Sequence, residues 1–214
     1  MMRAPELPAE LQPADLARTA ALCLAEDEPA EALSFTGAQY PELNAARAEF
    51  SRCVFERCRL TGADFTRASF TDCVFRSCDL SGARLGEARL LRCRFEDVKG
   101  AGLRLTEAVL HDTAFLECAL RYAIFAGARL DGVLMRGTDL REAGLSGCRV
   151  QTLTLEKSDL TRADLFRTSL KGVDLRSCTL DGVLLSQDLG ELRGATVDMF
   201  QAAALLPRFG IRVE

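Results

Sequence analysis

The stretch that decides the fold reads Ala48-Glu49-Phe50-Ser51-Arg52-Cys53-Val54-Phe55-Glu56-Arg57-Cys58-Arg59-Leu60-Thr61-Gly62-Ala63-Asp64-Phe65. Large apolar residues stand five apart, at Phe50, Phe55, Leu60 and Phe65. Two residues before each comes a small one: Ala48, Cys53, Cys58 and Ala63. Followed outward, the large series continues through Phe70, Phe75, Leu80, Leu85, Leu90 and Phe95. It misses one beat at Gly100, then runs in unchanged register from Leu105 through Phe115, Phe125, Met135, Val150 and Leu165 to Leu185. The small series keeps step, mostly as Ala, Cys, Thr, Ser or Val, to Val183.

A period of five suits neither the helix, at 3.6, nor the strand, at 2.0. It suits a chain that turns a corner every five residues and points one large and one small side chain inward from each side of a square. Four sides make a coil of about twenty residues. Coils then stack at ~4.8 Å, with backbone hydrogen bonds along the axis. One coil cannot bury its own apolar side chains, so its stability comes from its neighbours.

Reading in twenties sorts the residues by side. One inward column becomes Phe55, Phe75, Phe95, Phe115, Met135, Leu155 and Leu175. Cys53, Cys73 and Cys93 share a second column; Cys58, Cys78, Cys118 and Cys178 share a third. The expected fold is therefore all-β: a right-handed quadrilateral parallel β-helix with short terminal helices. Its weak point is Val98-Lys99-Gly100-Ala101-Gly102-Leu103, where a large centre is lost and a small site holds Leu. Local size compensation with a bulge or kink is expected there; a binding loop is the alternative.

Residues 1–32 precede the clear pattern and are read as a cap, 33–193 as the β-helix, and 194–214 as a C-terminal helix and strand. Pro13 to Leu24 can form a short helix before the Glu26-Asp27-Glu28-Pro29 break. Leu33, Phe35, Ala38, Tyr40, Leu43 and Ala45 resemble a degenerate first coil. Asp198 is a candidate N-cap with Gln201 three residues on, for a helix from Met199 to about Leu206. Ile211-Arg212-Val213 then alternates like a strand. Phe200, Leu205, Leu206, Phe209, Ile211 and Val213 are too apolar for a bare tip. They cap the core, form a symmetric dimer contact, or do both.

Composition narrows the function. The net charge of −4 argues against direct nucleic-acid binding by phosphate neutralisation. Residues 49–185 carry 19 acids and 21 bases, so the negative balance sits mainly in the N-terminal segment. No apolar run reaches the ~18 residues of a membrane span. Met1-Met2-Arg3-Ala4-Pro5-Glu6 opens no apolar signal core. Nine Cys without such a signal suggest free thiols and a cytoplasmic location.

No catalytic constellation is legible, and no cofactor or metal is expected. The single His, His111, falls at an outward position. Cys spacings of five and twenty are not those of a zinc site. Neighbours within a column lie within disulfide range, yet the shared use of Ala, Val and Thr there points to small filler. Thr61, Thr66 and Thr71 run around the coil rather than stacking on one face, which argues against an ice-binding surface. Outward apolar residues such as Val54, Val74, Leu91, Leu116, Ile124, Leu134, Phe166 and Leu184 are scattered.

Ala63-Asp64-Phe65-Thr66, Cys78-Asp79-Leu80-Ser81-Gly82 and Val173-Asp174-Leu175 resemble the repeat of the pentapeptide-repeat family, small–Asp/Asn–Leu/Phe–polar–Gly. The tail from Leu192 through Phe200-Gln201-Ala202 to Ile211 is similar to the C-terminal dimerisation segment of the Qnr-type quinolone-resistance proteins. The albicidin and microcin B immunity proteins are related to these. The resemblance implies a non-enzymatic homodimeric rod that imitates DNA, binds DNA gyrase or topoisomerase IV and alters their response to antibiotic poisons. The projecting loops of the Qnr type have no room in this unbroken register. A balanced rod imitates DNA only if one face gathers acids, and the best candidates are Asp139, Glu142, Asp159 and Asp181, diluted by Arg141 and Arg162. The alternative is a general interaction scaffold, because fold does not fix function.

Overall fold

The bend every five residues has a backbone cause. In the computed structural model, which describes residues 2–26, 28–209 and 212, the second residue after each centre lies in the left-handed region. Arg52 (φ 55°), Arg57 (53°), Gly62 (69°) and Arg67 (61°) turn one complete coil. The pattern holds from Gly37 to Gly182, except at Thr152 and Ser177. Left-handed backbone at a residue with a Cβ costs about 1 kcal/mol or more, so this chain tolerates strain at most of its corners. Hydrogen bonding between coils offsets it.

All ladders are parallel, and between the two ends paired residues lie twenty apart, as Phe50 with Phe70 and Phe55 with Phe75. Two sides of the square are ladders of two- to four-residue strands, forming sheets of eight and seven strands. The other two sides pair through single residues, as in Arg59 with Asp79 and Asp64 with Arg84. The result is a right-handed four-sided parallel solenoid of about seven turns. Backbone bonds such as Arg57 N–H to Arg76 O (2.9 Å) run along its axis.

The centres and their small partners fill the interior. Phe35, Phe55, Phe75, Phe95 and Phe115 form one continuous column, with ring centroids 4.4–4.9 Å apart. Three of its four contacts are near-parallel stacks. Phe50, Phe70 and Phe125 meet it edge-on at 5.4–6.1 Å, an orientation that aromatic rings favour.

The small sites do more than fill space. On the two sides where Leu60-type and Phe65-type centres turn, the centre's carbonyl accepts from the next small residue, as Leu60 O does from Ala63 N–H (3.1 Å). On the other two sides the centre's carbonyl accepts from a thiol or hydroxyl one coil further on. Cys73 Sγ donates to Phe50 O (3.4 Å), Cys78 Sγ to Phe55 O (3.3 Å) and Cys118 Sγ to Phe95 O (3.5 Å). Thr113, Thr138 and Ser158 do the same to Leu90, Phe115 and Met135. Cys148 and Thr168 reach Phe125 and Leu145 in the same way on the Phe65-type side, so each of these residues gives its buried polar hydrogen an acceptor in the preceding coil. All nine Cys are buried and free.

Gly100 carries no bulge or kink. Lys99 pairs with Asp79 and Ala119 in the common register, and Gly100 N–H donates to Ala119 O (2.8 Å). The size compensation is present without the distortion, because Leu103 and Leu120 fill the space that a centre side chain would take.

At the N-terminal end, helix α1 (Leu16–Glu26) closes the solenoid with Leu16, Ala20 and Cys23. Ladder pairing starts with Ala30–Glu31, slightly before the expected boundary at residue 33, and Gln12–Pro13 adds a strand beside Leu33. At the other end the last coil is two residues longer, so Asp174 pairs with Thr196. Helix α2 (Met199–Leu205) follows. Its cap is reciprocal: Asp198 Oδ1 accepts from Gln201 N–H, and Gln201 Oε1 accepts from Asp198 N–H, both at 2.8 Å. The expected strand at Ile211 and Val213 lies outside the described residues.

Candidate functional site

The motif's Asp is first a corner device. The carboxylate of Asp64 accepts the backbone N–H of Thr66 (2.9 Å), two residues on. Asp79, Asp139, Asp159, Asp164 and Asp174 repeat the bond at 2.9–3.1 Å. Such local caps are what short acidic side chains do best at turns. Two of the four candidate acids, Asp139 and Asp159, are therefore structural before they are anything else.

The four acids lie along one side and corner of the rod. Asp139 and Asp159 are partners in adjacent coils. Glu142 and Asp181 occupy the adjoining corner. Arginines occupy the same edge. Arg141 grips Asp139 with Nε (2.8 Å) and Nη2 (2.6 Å), and stands 3.7 Å from Asp159. Arg121 binds Glu142 at 2.5 Å. Arg141 holds the Asp139 carboxyl below the ordinary range, and Arg121 does the same for Glu142. Asp181 instead lines a cleft between the last coil and α2, with Gly182, Phe200, Gln201 and Leu205.

Pairing along the axis is general. Asp64–Arg84, Asp72–Arg92, Arg67–Glu87, Arg76–Glu96 and Arg136–Glu156 each join residues twenty apart. In these columns acids alternate with arginines rather than standing in a row.

The C-terminal tip is the more apolar surface. On α2, Met199 is 75 % and Phe200 78 % exposed, while Leu205 and the C-cap Leu206 are half-buried. No α2 residue is fully buried, so the helix is only a partial cap. Gln201 holds it down by donating from Nε2 to Leu175 O (2.8 Å) and Cys178 O (2.7 Å). Sequence reasoning gave Gln201 its capping role and missed this second one. The side chain of Phe209, and Ile211 and Val213, fall outside the description.

His111 is half-exposed between Asp131 (3.1 Å) and Asp112 (3.5 Å). Among the described residues no cluster of three or more His, Cys, Asp or Glu could hold a metal. No helix of the described residues is long and apolar enough to cross a membrane.

A solenoid with its variable chemistry on outward positions defines the class: a repeat protein. Two descriptions of the repeat match the sequence: a pentapeptide repeat region over residues 68–145, and eight copies of pentapeptide repeats over 48–86 and 153–187. Together they span well over half of the chain, which belongs to the pentapeptide-repeat family. No curated protein matches it.

Among solved structures, a trypsin-treated variant of QnrB1, a plasmid-mediated fluoroquinolone resistance protein, is similar at 20 % identity. That match covers 87 % of this chain and all of the other, with a TM-score of 0.40. HetL, a pentapeptide repeat protein involved in heterocyst differentiation regulation from the cyanobacterium Nostoc sp. strain PCC 7120, is 18 % identical. It matches over 78 % of this chain and 88 % of its own, with a TM-score of 0.31.

Proposed function

We propose that this protein is a non-enzymatic binding rod in the cytoplasm whose partner is a type II topoisomerase, DNA gyrase or topoisomerase IV, and that binding changes the enzyme's response to antibiotic poisons. The adjacent-rung placement of Asp139 and Asp159, with Glu142 beside them, supports this reading. Carboxylates repeated at the coil spacing offer a basic DNA-binding cleft a regular anionic edge, and complementary charge speeds and orients such encounters. The rod forms a homodimer through α2, where Met199 and Phe200 offer an apolar contact that a two-fold axis would cover.

A second reading has its own support. Arg121 and Arg141 neutralise most of that edge, which favours a protein partner recognised by shape and mixed polarity rather than one that normally binds DNA.

The deciding experiment is gyrase supercoiling with purified protein, with and without a quinolone or albicidin. Topoisomerase binding predicts inhibition or rescue that weakens when Asp139 and Asp159 become Asn. Neither effect at micromolar protein would discard it in favour of the second reading. Sedimentation of Phe200→Glu tests the dimer: a monomer is expected beside a dimeric parent.

A further inference from the structure

Residues that point away from a narrow solenoid should be wet. Along one line of this rod they are not. Val54 and Val74 each sit between two inward residues and so face outward, yet they are 9 % and 4 % exposed. Ala114, in the same column, is also buried. Outward residues on other sides stand open, as Ile124 at 37 % and Leu184 at 55 % show. The neighbouring corner repeats the anomaly, because Asp72 and Asp112 are buried charges.

The chain's own beginning lies along this side of the rod. From Gln12–Pro13, paired beside Leu33 and Ser34, the segment runs back along the rod. Glu6 N–H donates to Asp72 Oδ1 (3.0 Å). Glu6, Leu7 and Pro8 line one hollow with Arg52, Asp72 and Arg92. Further along, Met2 and Arg3 share another with His111, Asp112, Asp131 and Leu134. The carboxylate of Glu6 also adds to the field that favours charged Arg92, behind the larger effect of Asp72.

The segment's burial has a rhythm. Met2, Pro5, Pro8 and Leu11 are half-buried and the residues between them exposed. A repeat of three with prolines on the contact side is that of polyproline II, which needs no hydrogen bonds of its own and is stiff before it binds. The two prolines cannot donate to a ladder, so this is docking by side chains with one backbone bond to Asp72.

We propose that the outward groove formed by Asp72, Val74, Arg92, Asp112 and Leu134 is a docking site for an extended, proline-bearing peptide with an apolar or proline residue at every third position. Residues 2–11 are its tethered occupant. A segment of another protein with this spacing reaches the groove only by displacing the strap, which makes the strap an internal competitor. This surface is separate from the edge at Asp139 and does not depend on what that edge binds.

A thiol reporter in the full chain tests the proposal, because the nine native thiols are buried. Maleimide labelling of Val74→Cys is expected to be about tenfold slower than that of Ile124→Cys, about 1.4 kcal/mol of protection. Adding Pro5→Asp and Pro8→Asp should release the strap and bring the Val74→Cys rate to that of Ile124→Cys, with native thiols still silent as proof of folding. A synthetic peptide of residues 2–13 should then restore slow labelling, and the same peptide carrying both Asp substitutions should not. Equal rates at the two reporters in the unaltered strap background would overturn the cover. Failure of the peptide to protect would overturn the docking site, leaving a strap held only by its tether.

Discussion

Gly100 and Leu103 have exchanged roles: the centre position is empty and the small position is large. A Cβ built on Gly100 would stand 2.7 Å from Leu120 Cδ2 and 3.5 Å from Leu103 Cβ. Gly100→Leu alone therefore overpacks the interior, at a cost of about 1–3 kcal/mol. Leu103→Ala alone leaves a cavity, at about 2–5 kcal/mol. Combining them restores the pattern of every other repeat, and the double variant is expected to be more stable than either single one. Thermal melts of the four proteins check this coupling.

Phe115 lies 4.7 Å from Phe95 in the stack and meets Phe125 edge-on at 6.1 Å. Phe115→Asp places an unpaired charge at the centre of the column, with no solvent and no partner. No folded protein is expected, which far-UV circular dichroism and soluble yield read directly. Phe115→Leu should fold and lose about 1–2 kcal/mol.

The pH dependence has two limbs. Arg141 holds Asp139 below the usual carboxylate range, and at Asp72 burial acts upward but is outweighed, chiefly by the bond to Arg92. A depressed folded value contributes stability above the unfolded value near 3.9, which is lost as pH falls through the folded one. Burial pushes Cys93 up to about 12 and Cys118 to about 11. A raised folded value contributes stability below the unfolded thiol value near 8.5, which is lost as pH rises towards the folded one. Melting temperature should be flat from about pH 5 to 8, falling below about pH 4 and above about pH 8.5.

Those same thiols should be silent. In the folded protein none of the nine is expected to react with a maleimide at pH 7.5, and all nine should react in guanidinium, which intact-mass spectrometry counts.

Lys157 holds a left-handed corner (φ 50°) with a side chain attached. Lys157→Gly relieves that conformation and gains about 0.5–1 kcal/mol after the greater flexibility of the unfolded chain is subtracted. A rise of about 1–4 °C in melting temperature is the expected reading.

The architecture was legible in the sequence because every coil repeats one local rule. The identity of Phe55 or Ala63 depends on a place in a five-residue turn, and the next coil imposes the same demand twenty residues on. The capping box at Asp198 and Gln201 was legible too, since both partners lie within one helical turn. The reason for Cys and Thr at the small sites was not. Their acceptor is a carbonyl of the preceding coil, and a count of residue types cannot show which carbonyls come within reach.

Charge and cover were decided only in three dimensions. Sequence could place Asp139, Glu142, Asp159 and Asp181 near one edge, but whether they stand free depends on how Arg121 and Arg141 reach them. That choice of rotamer is made among neighbours on adjacent coils. The strap is further still from any local rule, since Glu6 meets Asp72 across sixty-six residues. A repeat determines its interior because the same few contacts recur at fixed spacing. What lies on its outer faces arises from single, non-repeating encounters, and only the folded chain brings those together.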